Sequence, residues 1–256
     1  MSGPAHFAVL QREAGSLDAD ALKRAFASFT NLTDADAVRL AIGARGILLR
    51  HLRRDEANAF QRALTDEGVG AVIVDEEDLW KFPEGKSLHR LELTPQSLVV
   101  YDLLGRATTV HWEQIAMVAA ATVLDFQLSK AAKEKVALRF GLTAERELQT
   151  GLKMESGLQS VMELLLSDGL TRYQIEAAGF PFKYVFDRPE LPVSAKFAWL
   201  VQEICSHAPG AILNDGARCI LDGQESASNY ASRQALADEI VWLFWQKAQR
   251  AHSGGD

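Results

Sequence analysis

The 256-residue chain carries 48% apolar and 24% charged side chains and a formal net charge of −7. That balance matches a folded globular protein and argues against extended disorder, and the length suits two modest domains or one larger domain with a decoration. The excess of acid removes the non-specific pull on phosphate backbones that nucleic-acid binders use, so no nucleic-acid partner is expected. No stretch approaches the ~18 apolar residues that cross a bilayer. Residues 1–11 show no basic segment leading into an apolar run, so no secretory signal is read. The two cysteines, Cys205 and Cys219, then point to reduced thiols in the cytoplasm rather than a disulfide framework, and make the sequon at Asn31 accidental.

Residues 6–10 read as a short strand. Leu22, Phe26 and Phe29 fall on one helical face, with Ser16 or Asp18 as the cap. Thr33 starts a second helix, whose apolar edge is Ala37, Leu40 and Ala41 and which ends at Gly43 and Gly46. Residues 46–52 are a second strand. Residues 55–67 form a third helix burying Ala57, Phe60, Ala63 and Leu64, with Gly68 as its left-handed stop. Residues 70–74 complete a β-α-α-β-α-β order, which predicts helices packed on one face of a small sheet.

These segments, and above all the run 55–68 that closes on Gly68, resemble the C-terminal domain of the bacterial ribosomal stalk protein, a fold shared with the adaptor of the Clp protease. The resemblance implies a domain type that docks other proteins. Lys23 matches the lysine near the start of the family's first helix, through which translational GTPases are recruited. The lysine of the second helix is replaced by Val38, so docking is implied without GTPase recruitment.

Acidic residues 75–78, then Trp80, Phe82, Pro83 and Gly85, have the composition of a connection. The expected division is a stalk-like α+β domain over 1–78, a linker over 79–87 and a second domain over 88–256. Trp80 and Phe82 are suited to docking the linker on a neighbouring module or on a partner. From Leu88 the apolar period becomes two, with strands over 98–101 and 107–111. Leu98 to Tyr101, the Gly105-Arg106 turn, Thr108 to Val110 and Trp112 to Ile115 resemble small bacterial domains of the pleckstrin-homology-like kind. Further strands are read over 136–140 and 182–186, with a hairpin at Asp168-Gly169. A helix capped by Ser194 buries Phe197, Leu200, Val201, Ile204 and Ala208, and the resemblance implies that it closes an open barrel. Residues 212–220 read as another hairpin. Ser232 caps a last helix whose stripe is Leu236, Ile240, Leu243 and Phe244. Val241, Trp242 and Trp245 lie on adjoining faces, so that helix must be covered on more than one side, by another module or another subunit.

No phosphate-binding loop, nucleophile elbow, dinucleotide fingerprint or zinc motif is present, so no cofactor or metal is expected. Cys205 reads as core, and Cys205 and His207 point in different directions on their helix. His111 and Glu113 share a strand face without a nucleophile. His51 and His89 show no sequence partner, and Glu76, Glu77 and Asp78 read as a solvated linker.

The expected fold class is α+β: a small β-α-α-β-α-β domain, then a mostly antiparallel β domain of pleckstrin-homology-like kind with C-terminal helices. The expected function is a non-enzymatic adaptor or scaffold that binds an unknown protein partner, with a homo-oligomer possible. Lys23, Trp80, Phe82, Trp242 and Trp245 form the candidate interaction surface. One alternative is an enzyme whose motif-free active site lies between the modules. The other is an anion or lipid-headgroup module using Arg106, Lys130, Lys133 and Lys135. A cleft gathering polar groups of shifted pKa favours the enzyme; an exposed apolar patch without one favours the adaptor.

Overall fold

Phe7, Ala8, Val9, Leu10 and Gln11 form a strand, β1 (Phe7–Gln11), buried along its whole length. A strand buried on both sides needs a layer on each face, and the computed structural model supplies both. It describes residues 5–13, 15, 17–27, 33, 37–38, 40–41, 45–102, 104–128, 154–185, 190–224 and 229–253. β1 is the centre of an antiparallel sheet between β2 (Ile47–Leu52) and β3 (Ala71–Asp75). Phe7 and Val9 face α1 (Ala19–Phe26), the helical residues at 37–38 and 40–41, and α2 (Arg54–Asp66), which contribute Leu22, Phe26, Ala37, Phe60 and Leu64. Asp18 caps α1 by accepting from Asp20 N, and the Glu56 carboxylate closes the start of α2 by accepting from Arg53 N at 2.8 Å. Gly68, at φ 77°, ends α2.

The stretch expected as a linker contains a strand. β4 (Gly85–Ser87) pairs in parallel with β10 (Arg172–Glu176), at the edge of a sheet ordered β11-β8-β9-β10-β4. Its long members are β8 (Ile115–Leu128) and β9 (Met154–Leu166), while β11 (Ile212–Leu213) and β12 (Asn229–Tyr230) both pair with β8. A separate antiparallel meander holds β5 (Arg90–Leu93), β6 (Ser97–Tyr101) and β7 (Ala107–His111). Leu91, Leu98 and Val110 of the meander, Val118, Met162 and Ile175 of the larger sheet, and Phe197, Leu200 and Ile204 of α3 (Val193–His207) share one core. The chain is α+β, as its sequence indicates.

At Asp168-Gly169 the carboxylate accepts from Leu170 N and Thr171 N while Gly169 takes φ 70°, which makes the hairpin between β9 and β10. Other expectations change. Residues 182–184 form a 3-10 turn rather than a strand, because Phe182 turns into the core beside Phe180, ring centroids 5.0 Å apart. α3 starts at Val193 behind Pro192, without the Ser194 cap. β7 stops at His111, and Trp112–Gln114 is a 3-10 turn, so His111 and Glu113 do not share a strand face. Residues 212–220 are not a hairpin: Asn214 caps α4 (Asp215–Leu221), accepting from Ala217 N at 2.9 Å. The strand expected over 136–140 lies outside the described residues.

The last helix, α5 (Arg233–Ser253), lies between the two main sheets. Leu236 and Ile240 pack on Met117, Ala119, Val161 and Leu165 of β8 and β9. Val241 and Trp242 pack on Ala8, Leu10 and Ile47 of the first sheet. The Trp242 indole donates to Gln11 O at 2.8 Å, and its ring occupies the space over Gly46, where a Cβ would lie 2.2 Å from Cγ. Arg50 and Asp238 add an ion pair at 2.8 Å. Trp242→Ala is expected to cost about 3–5 kcal/mol, as for other buried tryptophans. Gly46→Ala is expected to destabilise as well, because the methyl meets the indole and φ there is 87°. Urea midpoints measured over a range of protein concentrations test both. Losses that do not vary with concentration are expected, since the contact is within one chain; two wild-type midpoints would refute the wedge.

Candidate docking groove

Trp80 and Phe82 are held by the second sheet rather than by a loose connection. Glu163 of β9 and Arg172 of β10 pair at 2.9 Å, Arg172 donates to Pro83 O at 2.8 Å, and its guanidinium covers the Phe82 ring at 4.1 Å. Gly85 lets that guanidinium approach, since a Cβ would lie 2.7 Å from it. Phe82 then meets Trp80 edge-on, centroids 5.9 Å apart, and Trp80 stacks at a tilt on Phe244 of α5 at 4.6 Å. Leu79, the residue before Trp80, is 4% exposed and packs into the Trp242 cluster.

Trp80, Phe244 and Trp245 are each half-buried, and their remaining surface lines a groove of about 1050 Å³. One wall is the far half of α5. The other is Phe7 with Arg54, whose guanidinium sits 4.7 Å over the Phe7 ring. The floor is Ile73, Val74 and Asp75 of β3, which is an edge of its sheet. Asp78 closes the end from which the chain leaves.

Of the residues expected to form an interaction surface, Trp80 and Trp245 come together here. Phe82 lies behind Trp80, in the packing against Arg172. Trp242 is 4% exposed and wholly engaged inside the chain. Lys23 is on α1, across the first sheet from α5, and pairs with Asp20 at 2.9 Å. Sequence reasoning missed Phe244 as a groove residue because it sits on the apolar stripe of α5 that the β8–β9 pair covers.

A second opening of about 580 Å³ lies between β4 and the end of the β6–β7 hairpin and includes Lys86, His89 and Arg106. Arg106 there is bound 2.6 Å from Asp102, which also accepts from Leu104 N and Arg106 N. The arginine charge therefore closes a turn. Lys130, Lys133 and Lys135 lie outside the described residues.

Isolated histidines gain partners that no local pattern announces. His51, at φ 60°, is held by Glu76, which accepts from its backbone N–H and lies 3.1 Å from Nδ1. His207 stacks on Trp112 at 4.7 Å. Burial pushes the Cys205 thiol up to about 11, as a core cysteine requires. Among the described residues no cluster of three or more His, Cys, Asp or Glu side chains could hold a metal ion.

The strongly shifted acids line neither opening. Glu239 of α5 is raised chiefly by burial, and it accepts from the Tyr230 hydroxyl, Asp215 N and Asn214. The Tyr230 hydroxyl is raised by burial and by Glu239 beside it. Glu163 rises to about 7, because its burial outweighs the attraction of Arg172. No family model matches the chain, and the comparisons with curated proteins and with solved structures found no match.

An unfolded glutamate titrates near ~4.3, so the folded protein holds the Glu163 proton more tightly. The resulting stability is complete below the unfolded value and is lost as pH rises through about 7. Glu163→Gln keeps the shape without the charge. The difference in urea midpoint between variant and wild type is expected to move in the variant's favour between pH 5 and pH 8, and a constant difference would refute the assignment.

Proposed function

We propose that the protein is a non-enzymatic adaptor or scaffold that docks a segment of another protein in the groove between β3, residues 78–80 and α5. The observation that carries this reading is the half-buried surface of Trp80, Phe244 and Trp245 lining one groove beside a sheet edge. Tryptophan is enriched where interfaces concentrate their energy, because a rigid ring desolvates a large area at little entropic cost. The acids of strongly raised pKa, Glu163 and Glu239, are buried elsewhere with their own partners and do not line the groove, whereas an enzyme site gathers such groups in its cleft. The resemblance of residues 22–74 to a domain type used for docking points the same way.

A photo-crosslinking residue placed at position 78, with a control at exposed position 113, tests this in cells that make the protein. A discrete adduct with another protein is expected from position 78 alone. Trp245→Ala is expected to remove about 2 kcal/mol or more of the binding, as at interface hot spots, and so to abolish the adduct. No adduct from position 78, or the same adducts from both positions, would overturn the docking role.

A further inference from the structure

We propose that the groove takes its partner as an added β-strand: an extended segment, apolar at its centre and carrying a lysine or arginine, pairs with the free edge of β3. This rests on the docking role just described and specifies its mode. The backbone register fixes which groups are available. Arg12 N donates to Gly70 O and Glu76 N donates to His6 O, so the even-numbered residues of β3 exchange hydrogen bonds with β1. Gln11 N correspondingly turns the other way, to Gly46 O on the β2 side. Ala71, Ile73 and Asp75 therefore direct their N–H and C=O groups away from β1, and among the described residues no strand lies on that side.

The edge is closed at both ends and open in the middle. Ala71 O already accepts from the Gln61 side chain at 3.0 Å, and Asp75 O accepts from Asp78 N at 3.0 Å. What remains is a matched donor and acceptor on Ile73, flanked by the N–H donors of Ala71 and Asp75. A strand laid along the edge can use all four. The edge sequence Val72, Ile73 and Val74 is apolar and has high β propensity, and it carries no lysine, proline or bulge that would block such pairing.

The walls select the side chains. On the α5 side the added strand meets Trp80, Phe244 and Trp245, which call for apolar residues. At the linker end Asp75 and Asp78 line the groove, and neither makes an ion pair among the described residues; Arg54 also lines it, over the ring of Phe7, the cross-strand neighbour of Asp75, so the acids outnumber the one cation of the lining. A basic residue of the partner fits beside those carboxylates. A second copy of this chain is disfavoured as the occupant. Two antiparallel β3 edges centred on Ile73 would set each Asp75 against an Ala71 whose carbonyl Gln61 holds, and each copy carries a net charge of −7.

The test uses a fluorescein-labelled eight-residue peptide of central valine and isoleucine flanked by lysine, its twin with glutamate for lysine, and a lysine peptide N-methylated at alternate amides. Fluorescence anisotropy with the full-length protein is expected to show the lysine peptide binding at least tenfold more tightly than either of the others. Ile73→Pro is expected to weaken it at least tenfold, because the lost N–H points away from β1 and the ladder to β1 is untouched. The N-methylated peptide makes the same test on the wild-type fold. Binding that ignores both N-methylation and Ile73→Pro but falls with Trp245→Ala would overturn strand addition while leaving the docking role. Equal or tighter binding of the glutamate twin would overturn the basic partner. No binding of the lysine peptide would also overturn the inference, and the crosslink from position 78 then decides separately whether docking survives. A concentration-dependent dimer abolished by Ile73→Pro would make the occupant a second copy.

Discussion

The contact between the Trp242 indole and the backbone around Gly46 and Gln11 sets the arrangement of everything else. The first sheet is covered by α1 and α2 on one face only, and Ala8, Leu10, Ile47, Val72 and Val74 form an apolar second face. That face cannot stay open to water without a cost proportional to its area. α5 covers it with Val241 and Trp242 and uses its opposite side, Leu236 and Ile240, to cover β8 and β9. A single helix thus completes two cores, which explains why its sequence is apolar around so much of its circumference. Gly46 is required because the ring lies where any side chain would be, and because the backbone there takes a positive φ.

Hydrophobic burial alone would let α5 slide or rotate between two apolar faces, and directional polar contacts prevent this. Glu239 receives the Tyr230 hydroxyl, and Asn214 bonds both N and O of Ala120, continuing with a side chain the pairing that β11 begins on β8. Gly216 permits this closeness: a Cβ there would fall 1.9 Å from Ala120 O. No described buried side-chain nitrogen or oxygen in the network is left without a partner. Such a network is costly when incomplete and specifying when complete. Arg50 with Asp238 and Gln246 with Arg12 O fix the same helix to the first sheet.

Elements whose signals are local were legible in the sequence. The three strands of the first sheet, the Gly68 stop, the Asp168-Gly169 hairpin and the two-sided stripe of α5 all follow from period and turn chemistry over a few residues. What failed depended on distant atoms. Asn214-Asp215-Gly216 reads as a hairpin turn, yet the asparagine caps a helix because Ala120, far away in the chain, holds its amide. The composition of residues 79–87 reads as a linker, yet Arg172 draws it into the sheet as β4. The groove was half legible: Trp80 and Trp245 stood out as large rings without a local role. The exposed edge of β3 is a property of strand order, which no window of sequence contains.

The groove is a consequence of how the two cores are joined. Trp80 packs against both the β8–β9 cluster and the Trp242 cluster, so it cannot bury its whole ring in either. Phe244 and Trp245 pack only partly against the two clusters, and the rest of their surface lines the groove beside β3. Some of the residues that join the sheets, Trp80 and Phe244 among them, therefore also line the opening. A ligand bound there would touch β3, residues 78–80 and α5 together and stabilise their union in proportion to its occupancy. By the same linkage, any change that loosens α5 from the first sheet lowers affinity in the groove without touching a ligand. Docking as proposed and the integrity of the fold would therefore be linked equilibria, because both run through the same helix.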